Sequence, residues 1–386
     1  MRKSNSEPMK VLAWLVFAAP AAAQAAAYTF TDLGTLGGTF SEAVSINNLG
    51  QVAGSSATAS GAVHATRWNG TAATALDTLG SEEIGQGGSI NDQGTVVGFS
   101  WTPRRYAPYY ATVWNGITPT LLGPADGHST ARDINNAGQV VGFVGRAEFP
   151  GEFYRATLWN GNVPTDLGTL GGTNSDAWAI NGAGQAVGYS NITGDGEQHA
   201  TLWNGATATD LGTLGGTNSY AADINGAGSI VGYSLTAGNP SFHATLWNGS
   251  GLKDLAPSGA IASQALGINA AGQIVGSSQF ANEQYLQAML WDGKDVVNLN
   301  GFLDAATVAA GWVLYTANGI NDSGWIVGTA VNTFNQERHA YLLTAVPEPA
   351  TGALLLVGLG TLGFAAVRRP KQNPGFEAAL RSQNRG

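Results

Sequence analysis

Cysteine is missing from this chain. Disulfides are excluded, and so is any metal site built on thiolates. Charge is the next scarcity. Only 11% of the 386 residues are Asp, Glu, Lys or Arg. Cations are rarest in the bulk of the chain, where residues 28–346 hold 9 Lys and Arg against 23 Asp and Glu, a balance of −14. A surface of that sign is a poor partner for nucleic acid or anionic lipid. Three chemical signatures are also lacking. No Gly-Lys-Ser/Thr, no His-Glu-x-x-His and no Gly-x-Ser-x-Gly occurs, which removes the sequence basis for P-loop, zinc-peptidase and nucleophile-elbow chemistry.

Glycine, in contrast, is abundant. The 55 glycines far exceed a usual share of about 7%, and they fall at fixed places. The phrase Ile-Asn-x-x-Gly starts at Ile46, Ile90, Ile134, Ile180, Ile224, Ile268 and Ile320, at intervals of 44, 44, 46, 44, 44 and 52 residues. A period of roughly 40–50 residues marks a propeller or a related repeat array, in which no single unit can bury its own apolar face.

The fourth copy shows the grammar. Ala177-Trp178-Ala179-Ile180 is a short apolar run (A), closed by the turn Asn181-Gly182-Ala183-Gly184, where Asn can bond its own downstream backbone and Gly can take positive φ. Gln185–Ser190 is a second run (B), and His199–Trp203 a third (C). Asn204-Gly205 is a two-residue hairpin signal, and Ala206–Leu211 is the fourth run (D). The Trp-Asn-Gly corner recurs at Trp68, Trp114, Trp159, Trp203 and Trp247, with Trp291-Asp292-Gly293 as its variant. Glycine within run B suits close approach of neighbouring sheets. Seven such units predict an all-β fold, a seven-bladed β-propeller of four-stranded blades. The seventh copy stops at run C, His339–Leu343, while Tyr28–Leu33 is an orphan run D. The N-terminal strand is therefore expected to complete the last blade and close the array, leaving no open sheet end. The alternative is an open β-solenoid-like array.

The repeat resembles the HAF repeat of extracellular bacterial proteins. The likeness rests on Asp-Leu-Gly-Thr-Leu-Gly-Gly (Asp166–Gly172, Asp210–Gly216), on Ile-Asn-x-x-Gly and on His-Ala-Thr-Leu-Trp at His199 and His243. It covers nearly all of residues 28–344 and implies location and architecture rather than an activity.

The two ends read as address labels. Arg2, Lys3 and Lys10, the apolar run Val11–Ala23 and the small-residue sites Ala23-Gln24-Ala25 and Ala25-Ala26-Ala27 make residues 1–27 a secretory signal peptide; a retained anchor is the alternative. Residues 28–345 are the repeat body. Residues 346–371 run Val346-Pro347-Glu348-Pro349, then an apolar stretch at 350–367, then Arg368-Arg369-Pro370-Lys371. Eighteen apolar residues just span a bilayer, and the basic cluster holds the end in the cytoplasm. This segment resembles the PEP-CTERM sorting domain of Gram-negative, exopolysaccharide-producing bacteria, with Pro347, Glu348 and Pro349 as the motif. The resemblance implies an exosortase-type sorting enzyme as partner, transient residence in the inner membrane and release to the cell surface. The polar tail at 372–386 departs from that pattern.

Repetition also sorts the chemistry. His64, His199, His243 and His339 share one repeat position, held elsewhere by Tyr110, Arg155 and Gln287. A ligand cluster would not be dealt once per blade, so these residues read as structural. The same holds for Asp32, Asp77, Asp166, Asp210 and Asp254, read as anchors of the glycine turn, and for the corner Trp residues, read as packing groups. His128 stands outside the pattern. No catalytic set, cofactor or metal is expected. The B–C and D–A loops lie opposite the stereotyped turns, and the variable B–C loops on a rigid frame are the expected binding face. The ligand-binding candidates are Trp101, Arg104, Arg105, Tyr106, Tyr109, Tyr110, Phe149 and Tyr154. The reading that follows is an exported, non-enzymatic cell-surface or matrix protein of a biofilm, binding exopolysaccharide or a matrix protein. The alternative is a secreted glycan hydrolase or lyase.

Overall fold

Each repeat folds as four antiparallel strands in chain order. In the fourth these are Gly171–Ile180 (A), Gln185–Ile192 (B), Gln198–Asn204 (C) and Thr207–Asp210 (D). The structure is a computed structural model that describes residues 28–80, 84–101, 108–123, 128–148, 151–238, 240–249 and 251–346. All of them belong to one compact unit, Tyr28–Val346. The fold is all-β: repeats 2 to 6 each form a separate four-stranded sheet, and repeats 7 and 1 share an eight-stranded one.

Strand character follows from where each run sits. Run B is buried on both faces, as Ala186, Val187 and Gly188 are. Run D is four residues long and largely exposed, a short edge that offers little template for aggregation. The A–B turn depends on one asparagine. Asn181 Oδ1 accepts from the backbone N–H groups of Ala183 and Gln185 at 3.0 and 3.1 Å, and Gly184 closes the turn at φ 79°, a conformation costly for residues with a Cβ. The strand-B glycine has a role beyond the one expected. A Cβ on Gly188 would collide with the carbonyl of Asp176 in strand A of its own sheet, while between sheets a Cβ on Gly87 of repeat 2 would meet the backbone of strand-B Gly54 in repeat 1.

That contact sits beside a β-bulge. In every repeat the A–B register shifts by one residue just before the Ile-Asn phrase, as between Ala177 and Ala179 in repeat 4. The extra residue is unpaired and its direction is reset. These bulge residues are Val44, Gly88, Arg132, Trp178, Ala222, Leu266 and Asn318.

The apolar cores lie between successive repeats. One cluster joins Val141, Ala156 and Leu167 of repeat 3 to Ala177, Ile180, Ala186 and Trp203 of repeat 4. Trp68, Trp114, Trp159 and Trp203 are fully buried, as their reading as packing groups requires.

A second seam is polar. The Asn181 amide donates to Asn225 O, and the same bond runs from Asn47 to Asn91 O, Asn91 to Asn135 O, Asn135 to Asn181 O, Asn225 to Asn269 O and Asn269 to Asn321 O. The seventh, Asn321 to Asn47 O at 3.0 Å, returns the series to its start.

Repeats 7 and 1 meet through several further contacts. Tyr28–Asp32 pairs antiparallel with Arg338–Ala345 in the register Tyr28↔Ala345 to Asp32↔Tyr341. Ala340 N donates to Ser41 Oγ, and Asn318 Nδ2 to Ala43 O. The long sixth interval holds a feature not anticipated. Leu299–Phe302 is a 3-10 turn and Ala305–Ala309 a short helix capped by Asp304, and Phe302 packs edge-on to Tyr28 at 5.0 Å.

Candidate functional site

Three of the four repeating histidines turn out to be paired with acids of the repeating column. His199 Nδ1 lies 2.8 Å from Asp210 Oδ2, and His243–Asp254 and His339–Asp32 repeat the distance. The other Asp oxygen caps the following turn, as Asp210 Oδ1 accepts from Gly212 N. Where the histidine is replaced, the pair changes with it: Arg155 bonds Asp166, and Asn298 bonds Gln287. Asp77 does not belong to this column. Ala75 is the residue opposite Thr66, as Asp210 is opposite Thr201. Asp77 stands two residues later, and its carbonyl accepts the Trp114 indole N–H.

The bulges build the centre of the candidate site. They line a cavity of about 290 Å³ whose walls include Val44, Arg132, Trp178, Leu266 and Asn318, together with Asp133 and Asp223. Both acids are clamps between repeats. Asp133 accepts from Ile134 N and Ile180 N, and Asp223 from Ile224 N and Ile268 N, with distances of 2.7–2.8 Å. Burial pushes the Asp223 carboxyl up to about 7 against the pull of its Ile268 N–H bond, and the neighbouring Asp133 adds to the rise. Burial raises Asp133 as well, over the opposing bonds from Ser89, Ile180 and Ile134. With both oxygens of each acid bonded to the backbone, a structural role is already filled.

Beside the cavity runs an arc of aromatic rings. Asp176 organises one end: its Oδ2 receives Arg132 Nη2 at 2.8 Å and Trp178 Nε1 at 3.0 Å. Burial raises this carboxyl too, more than Arg132 lowers it. Arg132 in turn lies 5.8 Å over the Phe143 ring. Trp178 is nearly parallel to Tyr220, with centroids 5.9 Å apart and planes 10° from parallel. Tyr189 and Tyr233 pack on the same pair, and Phe242 closes the series on Tyr220 and Tyr233 at 5.7 and 5.2 Å. Burial lifts the phenols, Tyr233 up to about 12. Past Phe242 a groove of about 230 Å³ opens toward repeat 6, walled by Gln264, Ser277 and Leu286.

Of the residues expected from sequence, Trp101 and Tyr109 form a small cluster with Phe99 and His128, with centroids 5.3–5.9 Å apart. Tyr110 follows Tyr109 in the same strand, Tyr109–Asn115. Tyr154 touches the arc, packing on Phe143 at 5.6 Å and setting its hydroxyl 3.5 Å from that of Tyr189. Arg104, Arg105, Tyr106 and Phe149 lie outside the described residues. The arc itself went unread because it stands on strands rather than loops. One column held its signal: the residue after the strand-B glycine is Phe99, Phe143, Tyr189 and Tyr233 in four successive repeats, then Ser277, Thr329 and Ser55.

Residues 345–369 match the PEP-CTERM protein-sorting motif. The chain carries an export-sorting signal. That motif is recognised by exosortase and indicates passage across the inner membrane to the cell surface or beyond. Pro347, Glu348, Pro349 and the apolar stretch 350–367 lie outside the described residues, among which no helix is long and apolar enough to cross a membrane. No curated protein matches the chain. Among solved structures it is similar to the β-propeller domain of the trilobed protease from Pyrococcus furiosus, with 12% identity and a TM-score of 0.41 over 69% of this chain and 96% of that one. A puromycin-hydrolysing peptidase from Mycobacterium tuberculosis aligns at 10% identity and TM-score 0.48, over 82% of this chain and 56% of that one. A TolB-like protein from Agrobacterium tumefaciens aligns at 14% and 0.38, over 80% and 91%.

Proposed function

We propose that this is an exported, non-enzymatic cell-surface or matrix protein that binds a polysaccharide through the aromatic arc of repeats 3 to 5. The scaffold in this reading is a seven-bladed propeller of HAF-like repeats completed by the N-terminal strand. The cyclic series of asparagine bonds and the Tyr28–Asp32 pairing support it.

The arc carries the functional reading. Partly exposed rings offer flat apolar faces, and the hydroxyls and amides around them, such as Tyr154, Gln198 and Gln264, offer directional bonds. Tyr220 shows the pattern in miniature, with its ring beside Trp178 and its hydroxyl donating to Gln198 Oε1 at 2.7 Å. The rings cover one side only. Repeats 6, 7 and 1 place small polar residues in the equivalent column, and a core that needed those rings for packing would need them in every repeat. Surface polysaccharide from producing cells, passed over the immobilised protein, should be retained, and Trp178→Ala should weaken retention at least tenfold. Equal retention by that variant, or none by the wild type, would remove the reading.

A further inference from the structure

Resting on that glycan-binding reading, we infer that the arc takes an uncharged polysaccharide rather than a polyuronate or other acidic one. The argument is electrostatic. The cation within the arc is already answered: Arg132 is paired at 2.8 Å with Asp176, a carboxylate with only 3% of its side chain exposed. The guanidinium also lies over the Phe143 ring, 5.8 Å from its centroid. Arg132 is 40% exposed, but the buried Asp176 already balances its charge, so a carboxylated sugar at its open edge would meet a neutralised pair rather than a free cation.

Two further described cations are also engaged. Arg338 lies over Tyr315 at 5.8 Å and faces Glu42, and Arg155 is bonded to Asp166. The repeat body as a whole carries −14, a field that repels a polyanion at low salt. Among the described residues, the side chains that bond the rings or share the groove with them include the neutral donors and acceptors Tyr154, Gln198, Gln264 and Ser277. The groove beyond Phe242 has the same character, one aromatic wall facing an amide and a hydroxyl. This is the chemistry of a hydroxyl-rich, uncharged chain, with stacking on the rings and hydrogen bonds at their rims.

Affinity electrophoresis of the full chain in a sugar-free zwitterionic detergent tests the inference, with a neutral glucan, a neutral mannan and polygalacturonate in the gels. Retardation by a neutral polymer is expected, changing less than twofold between 50 and 500 mM NaCl because no ion pair forms. Trp178→Ala and Phe242→Ala should each reduce it at least tenfold, and Trp178→Phe, which keeps a ring, should restore most of it. Thermal melts check that each variant is folded, and Gln264→Ala, which removes only a rim contact, should still cost several-fold. Retardation by polygalacturonate alone, falling steeply with salt, would overturn the uncharged class while leaving glycan binding in place. Retardation by none of the three polymers overturns the inference for neutral glucans and mannans. Whether glycan binding itself survives is then read from retention of the cells' own surface polysaccharide.

Discussion

Raising the pH from 5 to 8 should destabilise residues 28–346, with Asp223 responsible for a separable part of the loss. An aspartate in an unfolded chain titrates near 3.9, whereas burial holds Asp223 at about 7 in the folded state. The folded protein thus binds this proton more tightly. The stabilisation is complete below about pH 4 and is lost as the pH rises through about 7. A shift of roughly 3 units corresponds to an upper bound of about 4 kcal/mol. Asp133 and Asp176 are raised by burial as well, so their contributions have the same sign. Asp32, whose carboxyl is held below its ordinary value by its bonds to His339 and Gly34 in spite of burial, loses its contribution only at more acidic pH and does not blur the window. Urea unfolding at pH 5, 6, 7 and 8 would show the midpoint falling. In Asp223→Asn the slope between pH 5 and 7 should shrink by up to about 1.4 kcal/mol per pH unit, the value of one proton. A wild type whose stability rises over this range, or a variant with an unchanged slope, refutes the assignment.

Other outcomes can be read from the same unfolding assay. Asn181→Ala removes two acceptor bonds to the turn and the donation to Asn225 O and should cost about 2–4 kcal/mol; Asn181→Asp should not rescue it, since a carboxylate cannot donate to that carbonyl, and wild-type stability in either variant would discount the polar seam. Trp203→Ala should cost about 3–5 kcal/mol, because the ring is fully buried between repeats 3 and 4. Gly188→Ala should be severely destabilising, since its Cβ meets the Asp176 carbonyl, whereas Gly182→Ala, with open space around it, should change stability by less than about 0.5 kcal/mol. His199→Ala removes a partly exposed pair and should cost no more than about 1 kcal/mol, so a loss of several kcal/mol would show that this column matters more than the geometry implies.

Much of the local grammar was legible because it is written seven times. The four strands, the Asn-Gly corner and the buried Trp each had several independent copies. The pairing of Tyr28–Asp32 with the last strand was also readable, from a run D with no run C before it. The inter-repeat asparagine bonds were not. The first half of that residue's role is local and visible as an Asx turn, but the second half joins residues 44 or more positions apart, a relation no spacing within one repeat announces. The arc failed to show for a related reason. Trp178 belongs to a bulge, whose extra residue interrupts the period-two alternation that would assign a side chain to one face. The helix Ala305–Ala309 had a trace, the 52-residue interval, but five residues are too few to show a helical period.

The partnership between Tyr28–Asp32 and Arg338–Ala345 sets a timetable. The first strand of the body finds its register only when residues more than 300 positions later are present, and the His339–Asp32 bond spans 307 positions. Contacts of such separation form late, because the entropy of closing the intervening chain must be met first. A chain delivered N-terminus first therefore holds its opening strand in waiting while six repeats assemble, and the His339–Asp32 bond is among the last to form.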